Sequence, residues 1–187
     1  MTDFVHAAPR VVPYDPAWAT AFADEAALLG AALLGAALAD VPHRVEHIGS
    51  TAVPGLPAKP VVDVMVGLPD DATLDGRFAH VRTALEGLGY VWDPRALADD
   101  PGRYVFRKGP ADPTQLRTHH LHLTTEGSAY WHRIIAFRDR LRADPAAAAE
   151  YAAVKQRLLA TCGGDSRAYT RGKTDVVRRY ETSAEDP

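Results

Sequence analysis

One short run of residues, 61–66, constrains the fold of this 187-residue chain most, because it is apolar and mostly β-branched. Such a run is typical of a central β-strand, and only Asp63 and Met65 depart from the β-branched pattern. Side chains alternate along a strand, so Asp63 and Met65 share one face and the valines between them face the other way. A buried carboxylate without a partner is costly. Asp63 must therefore be hydrogen-bonded, paired with a cation, or placed at a strand end that faces a cleft.

Helical and strand patterns on both sides of this run predict an α/β (α+β) fold. The hydrophobic spacing and the helix-start signals predict helices at about 16–39, 74–88, from Ser128, from Asp144-Pro145, and from Asp165 to Tyr180. Further strands are predicted at 45–48, 90–92, 103–108 and 119–124, with loops at 49–60 and 93–102. Few strands flanked by helices indicate one mixed sheet covered by helices, with a helical C-terminal part at about 128–180.

Length and composition favour a single soluble domain over 1–187. The formal net charge of -3 argues against strong binding to nucleic acid, which needs a sizeable basic surface. One cysteine, Cys162, and an N-terminus without a signal-peptide pattern predict a cytoplasmic protein. The uncharged stretch 26–39 is shorter than the ~18 residues that span a bilayer, so we expect no membrane partner. The sequence makes no prediction about the oligomeric state.

The loop before the apolar strand has the composition of a phosphate-binding turn. Gly49 allows a ligand to approach the backbone closely, and Ser50 and Thr51 add hydroxyl and N–H groups. The alternative is a plain tight turn. The presence of Asp63 shortly afterwards favours the functional interpretation.

The same region carries a family resemblance. The run His-Ile-Gly-Ser-Thr-Ala-Val-Pro-Gly-Leu at 47–56, Ala-Lys-Pro at 58–60 and then Asp63 resembles the GrpB family. The similarity continues through 119–123, 137–142 and Tyr151 with Lys155, and it spans about 14–173. The resemblance implies a nucleotidyltransferase-like fold. In that wider superfamily the turn matched by Gly49 and Ser50 holds a triphosphate, and the carboxylate matched by Asp63 binds a divalent metal, here Mg or Mn.

The chain departs from that pattern at the second carboxylate, which is replaced by Met65. Methionine is a poor ligand for Mg²⁺, which prefers hard oxygen ligands. His120 and His122 alternate with leucines on the predicted strand 119–124, so they share one face. If that face turns towards Asp63, the two imidazoles could bind a transition metal such as Zn, or they could only hydrogen-bond substrate or backbone.

Several basic residues are candidates for neutralising phosphate, and each alone could equally be a solvated surface residue. Lys59 is the strongest because it lies four positions before Asp63. Arg138 and Arg142 share one helix face, as do Tyr151 and Lys155. The remaining candidates are Arg107, Lys108, Arg117 and Lys173. His47 is a further candidate, although with Glu46 it could form a structural pair.

Three functions are consistent with these residues. The leading hypothesis is a nucleotidyltransferase-like enzyme. Its small-molecule partner is a nucleoside triphosphate, from which it transfers a nucleotidyl group to an unknown acceptor. In it Asp63, His120 and His122 are the catalytic candidates. The second is a non-catalytic accessory protein that binds a nucleotide or a coenzyme A-related metabolite, since similar sequences occur fused to dephospho-coenzyme A kinase domains. The third is a metal-dependent hydrolase built on the histidines and Asp63.

Overall fold

The protein forms one five-stranded sheet with helices on both faces. The structure is a computed structural model, and it describes residues 8–36, 38–99, 102–110, 117–165, 168–173 and 177. The strands are β1 (Arg44–Ile48), β2 (Val62–Leu68), β3 (Tyr90–Asp93), β4 (Tyr104–Lys108) and β5 (His119–Thr125). The helices are α1 (Ala17–Ala36), α2 (Asp71–Gly87), α3 (Arg95–Asp99), α4 (Ala129–Ala143) and α5 (Pro145–Thr161). A single 3-10 turn, Ser50–Ala52, follows β1.

The sheet is mixed, as the sequence predicts, and its strand order is β1-β2-β5-β4-β3. Strand β2 pairs parallel with β5, and the other neighbouring strands pair antiparallel. In this register Asp63 lies opposite His120, and His120 lies opposite Arg107. Residues directly opposite each other on paired strands place their side chains on the same face. The three side chains therefore form one row across β2, β5 and β4.

The two faces of β2 are buried in different ways, and the predicted alternation is confirmed. Val62, Val64 and Val66 lie in the main core, where leucines of α1, α2 and β5 cover them. On the other face, Met65 packs with Trp131 of α4. A third cluster joins the loop after β1 to the C-terminal helices through Val53, Leu56, Leu141, Tyr151 and Val154. The signature loop is thus held between the sheet and the helices α4 and α5.

The predicted helix starts are confirmed by their capping hydrogen bonds. Oδ1 of Asp15 accepts from the N–H of Ala17, at 2.9 Å. The side chain of Ser128 accepts from the N–H of Trp131, and that of Asp144 accepts from the N–H groups of Ala146 and Ala147. These short polar side chains satisfy N–H groups that the first helical turn leaves without a partner.

Several predicted boundaries are wrong. Helix α1 ends at Ala36 and not at 39, α2 begins at Asp71 and not at 74, and the predicted loop 93–102 contains α3. Asp165 accepts from the N–H of Ala168, and residues 168–173 and 177 are helical. The rest of the predicted last helix, 174–176 and 178–180, lies outside the described residues. No helix in the described part of the chain is both long and apolar enough to cross a membrane.

Helix α1 is fixed to the sheet by a buried charge pair. Glu25 is buried in α1, and its carboxylate oxygens lie 2.8 and 2.9 Å from Nζ of Lys108 on β4. Glu25 lies between Phe22 and Leu29 of α1, which pack in the main core, and Lys108 is the partner that a buried carboxylate requires. Lys108 is therefore engaged with α1, whereas its neighbour Arg107 points to the opposite face of the sheet.

Candidate functional site

The centre of the site is the row of side chains that runs across three strands. Oδ1 of Asp63 lies 3.2 Å from Nδ1 of His120, and Nε2 of His120 lies 3.3 Å from Nη1 of Arg107. Arg107 is anchored from behind by Asp93, whose Oδ2 accepts from its Nε at 2.9 Å. Asp93 is buried and also pairs with Arg95. The row thus runs from the carboxylate of Asp63 through the imidazole of His120 to the guanidinium of Arg107, which pairs with Asp93.

These partners determine the tautomer of His120. A guanidinium only donates hydrogen bonds, so Nε2 of His120 accepts and its proton lies on Nδ1, where it is donated to Asp63. Burial raises the pKa of the Asp63 carboxyl, but the hydrogen bond from His120 and the nearby positive charges outweigh it. The net pKa lies below its ordinary value. Asp63 is therefore ionised and orients an imidazole whose two nitrogens both have partners.

The turn after β1 approaches this row so closely that it requires glycine. Gly49 has a φ of 71°, a left-handed conformation that other residues rarely adopt. A Cβ at this position would collide with Oδ2 of Asp63, and it would lie 3.0 Å from Cγ. The sequence interpretation of Gly49 as a close-approach glycine is consistent with this geometry. The approaching group in the structure is Asp63 itself.

Substitution of Gly49 with alanine tests this close approach. Gly49→Ala is expected to destabilise the protein by about 2–3 kcal/mol, from the positive φ and from the clash with Asp63. Gly55→Ala is a matched control, because Gly55 has a φ of 79° and no atom within 4 Å of the added Cβ. We expect about 1 kcal/mol for the control in urea unfolding. Equal losses for the two variants would contradict the proposed contact.

Three lysines lie around the same turn. Lys155 of α5 has 2% of its surface exposed. Its Nζ donates to Oγ of Ser50 at 3.3 Å and to the carbonyl oxygen of Pro57. The Nζ atoms of Lys59 and Lys173 lie 4.6 and 4.8 Å from the ring centroid of the buried Tyr169. The chain contains four lysines in all, so three of them meet at one site.

The three amines influence each other. Burial, and then the charge of Lys173, lowers the pKa of Lys155 to about 7. The same two causes, in the same order, lower the pKa of Lys59 to about 8. Burial also lowers the pKa of Lys173, against the opposing effect of Asp63. A cluster of cations in a poorly solvated site has a high affinity for anions, because each amine is destabilised by burial and by its neighbours.

Other predicted site residues support the turn and the strand before it. Nη1 of Arg138 donates to Oε2 of Glu46 at 2.8 Å and to the carbonyl oxygen of His47 at 3.0 Å. Nε2 of His47 lies 3.0 Å from Oγ1 of the buried Thr51, and its ring stacks on Phe22. Burial lowers the pKa of His47 to about 4, so its ring is neutral. The structure thus places these four predicted site residues in the frame of the site.

The residues present do not fit a divalent metal. Among the described residues, no group of three or more His, Cys, Asp or Glu side chains could hold a metal ion. Met65 occupies the position of the second carboxylate and is fully buried. Nδ1 of His122 is hydrogen-bonded to the hydroxyl of Tyr130 at 2.7 Å, and burial lowers the pKa of His122 to about 3. Asp63 is the one hard oxygen ligand among the predicted metal residues, which is a poor donor set for Mg²⁺.

Two residues of the site have no counterpart in the sequence predictions. Asp93 is the last residue of β3 and anchors Arg107, whereas the sequence predicts that it begins a polar loop. Tyr169 lies between two of the lysines, and an isolated tyrosine in a helical segment gives no signal of that role. The only sequence signal for Asp93 was the arginine two residues later.

The fold and the site together define a class of α/β proteins. In this chain a Gly-Ser turn precedes a strand with one carboxylate, and the buried Lys155 contacts the turn. The chain belongs to the GrpB family, whose model, described as GrpB protein, matches residues 8–183. This finding agrees with the resemblance of the signature loop. The match covers the whole candidate site.

Relatives and a solved structure agree with this assignment. The UPF0157 protein PA4798 of Pseudomonas aeruginosa is 41% identical over 172 residues, which cover 91% of this chain and 65% of that protein. The crystal structure of the conserved protein GrpB from Enterococcus faecalis superposes with a TM-score of 0.74 at 29% identity, and it covers 95% of this chain and 100% of that one. A dephospho-CoA kinase of Mycolicibacterium paratuberculosis is 30% identical over 198 residues, which cover 90% of this chain and 44% of the kinase. The chain thus spans less than two thirds of the length of both curated relatives.

Proposed function

We propose that the chain is a nucleotidyltransferase-like protein that binds a nucleoside triphosphate through its phosphates at the Gly49-Ser50 turn. The observation that carries this proposal is the buried Lys155, which donates to Ser50 of that turn, together with Lys59 and Lys173, which lie close to each other at Tyr169. Lysine binds phosphate as a point charge, and arginine is the more common basic residue in this chain. The concentration of lysines at one turn therefore favours an anionic ligand over a general surface charge.

The energetics of the lysines support the same ligand. Buried amines whose charges repel each other make the folded protein less stable. A polyanion that enters the site supplies the missing negative charge and raises the pKa of each amine again. Asp63 supplies only one negative charge near the three lysines. A ligand can therefore add several negative charges before the site is neutral. A chain of phosphates matches this requirement better than a single carboxylate.

The row across the sheet supplies groups for a transfer reaction. In the proposed reaction an acceptor hydroxyl or amine attacks the α-phosphorus, the new bond forms, and the bond to pyrophosphate breaks. The acceptor's proton passes to Nε2 of His120, which Asp63 orients, once Arg107 has turned from His120 to the phosphates. Arg107 and Lys59 then stabilise the charge that develops on the leaving pyrophosphate.

A second candidate function is the recognition of a coenzyme A-related nucleotide without catalysis. The similarity to part of a dephospho-CoA kinase favours it. Dephospho-coenzyme A carries a diphosphate joined to adenosine, so it offers the same type of anion to the lysines. In this case the site binds the diphosphate, and the row of Asp63, His120 and Arg107 only positions it.

A thermal-shift and calorimetric panel tests both candidates. The four ribonucleoside triphosphates, coenzyme A and dephospho-coenzyme A are each titrated into the wild-type protein and into Lys155→Met. A ligand at ~100 times its dissociation constant stabilises the fold by ~2.7 kcal/mol, which is a readable shift for a domain of this size. Lys155→Met is expected to weaken binding roughly ten- to hundredfold, because it removes a buried hydrogen-bonding charge.

The matched control for this panel is Arg82→Met. Arg82 lies on α2, on the other side of the sheet, and its side chain is 43% exposed. At pH 6, where Lys155 is mostly protonated, the change in net charge is nearly the same as in Lys155→Met, so a general charge effect weakens binding about equally in both variants. Preference for a triphosphate with release of pyrophosphate supports transfer, whereas preference for dephospho-coenzyme A without turnover supports the second function. Lack of binding by every ligand contradicts both.

A further inference from the structure

The charges of the site bear on whether its polyphosphate ligand binds with or without a divalent metal. We propose that this protein binds its polyphosphate ligand free of divalent metal, with protein cations in the place of the metal. This inference rests on the proposed function, since it concerns the same phosphate site. It differs from that function in one measurable property, the dependence of binding on Mg²⁺.

Strand β2 offers a divalent metal only one carboxylate, Asp63. Met65 lies on the same face as Asp63, two residues later, where a second carboxylate could share a metal. Its side chain is fully buried and packs with Ile48, Tyr130 and Trp131. A thioether enclosed by apolar side chains supplies no hard oxygen ligand for Mg²⁺.

Both ring nitrogens of His120 already have hydrogen-bond partners. Its Nδ1 is hydrogen-bonded to Asp63, and its Nε2 accepts from Arg107 at 3.3 Å. The lone pair that a metal would need is therefore directed at a guanidinium. Asp93 holds this guanidinium with a distance of 2.9 Å from its Oδ2 to Nη2 of Arg107. While Arg107 donates to His120, its guanidinium occupies the position that a metal bound to Nε2 would need. When Arg107 turns to the phosphates, its positive charge stays in the site and opposes a metal cation there.

Cations outnumber carboxylates in this part of the molecule. Four basic groups, Lys59, Lys155, Lys173 and Arg107, lie near two carboxylates, Asp63 and Asp93. A magnesium ion bound to a triphosphate cancels two of its negative charges. The metal complex therefore gains less from these four groups than the free triphosphate does, because the interaction scales with the product of the charges. Magnesium is expected to compete with the protein for the phosphates.

Calorimetric titration at pH 6.5 tests this proposal, with inorganic tripolyphosphate and ATP as probes. Each probe is titrated in the presence of EDTA and again in excess Mg²⁺. We expect tight binding in EDTA and a dissociation constant at least about tenfold higher in Mg²⁺, for both probes. Binding that occurs only with Mg²⁺ overturns this proposal and leaves the proposed function intact. Absence of binding in both conditions overturns the proposed function as well.

The variant Asp63→Asn separates the two roles of the carboxylate. Asparagine keeps an oxygen that can accept from Nδ1 of His120, but it removes the negative charge. If Asp63 is a required metal ligand, the variant loses binding in Mg²⁺ by a hundredfold or more. If the ligand binds without metal, the variant binds tripolyphosphate in EDTA at least as tightly as the wild type, because one repulsive charge has gone. A large loss in EDTA by a variant that still unfolds cooperatively contradicts the proposal.

Discussion

Raising the pH from 7 to 9.5 is expected to stabilise the folded protein against urea by about 3 kcal/mol. The cause is Lys155, whose pKa falls from 10.5 in the unfolded chain to about 7 in the folded protein. Between these two values the unfolded state binds more protons than the folded state. Stability therefore rises with pH across this window, and it becomes independent of this group below about pH 7. Lys59, with a pKa of about 8, acts in the same direction.

The variant Lys155→Met assigns the effect to this residue. Methionine has a similar length and no charge, and replacement of a buried charge by an apolar side chain is often stabilising. We expect the variant to be more stable than the wild type at pH 7 by about 2–3 kcal/mol, and to lose most of the pH dependence. Urea titrations followed by tryptophan fluorescence at several pH values measure both. A wild-type protein that loses stability between pH 7 and 9.5 contradicts the buried-amine environment.

This prediction has a functional counterpart. The charge of Lys155 lowers the free energy of unfolding, yet the proposed ligand needs this lysine. Such a residue is kept for function and not for stability. Lys155→Met is then expected to bind nucleotide less tightly than the wild type and to unfold at a higher urea concentration. This opposite movement of affinity and stability distinguishes a binding lysine from one that only supports the loop. Loss of a supporting lysine lowers both quantities together.

The strands and their faces could be predicted from the sequence because they depend on local alternation. The assignment of Asp63 and Met65 to one face of β2 and of Val62 and Val64 to the other follows from the pleat alone. The same rule placed His120 and His122 together on β5, and the capping residues predicted three helix starts correctly. The helix ends were less accurate, since α1 ends at Ala36 without a strong stop signal.

The contacts that make the site depend on pairing between distant strands. Whether the face with His120 turns towards Asp63 depends on the register of β2 and β5, which lie 57 positions apart at these residues. The pairing of Lys155 with Ser50 joins residues 105 positions apart. No local pattern determines such pairs, and the sequence suggested Lys155 only through the family resemblance. Asp93 was missed for the same reason, since its role is defined by Arg107 on the neighbouring strand.

Arg138 is expected to contribute more to stability than any single hydrogen bond in the frame of the site. Its side chain is 9% exposed, and it joins α4 to β1 through Glu46 and the carbonyl oxygen of His47. Burial lowers the pKa of Arg138, but the hydrogen bonds and charges of Asp139 and Glu46 outweigh this effect and raise it. Arg138 is therefore charged at every working pH. Arg138→Met leaves Glu46 without this partner and should lower the free energy of unfolding by about 3 kcal/mol.

Arg142→Met is the matched control for this prediction. Arg142 lies one helical turn further along the same face of α4, its side chain is 40% exposed, and its Nε donates to the carbonyl oxygen of Ala52 at 2.9 Å. Arg142 is more exposed than Arg138 and donates to a neutral carbonyl and not to a carboxylate, so we expect a smaller loss of about 1 kcal/mol in urea unfolding. Because β1 leads directly into the Gly49-Ser50 turn, the loss of Arg138 should also weaken tripolyphosphate binding, although Arg138 lies outside the lysine cluster. If both variants lose the same stability, the charge pair with Glu46 contributes nothing beyond an exposed contact, and β1 is held by its strand pairing alone.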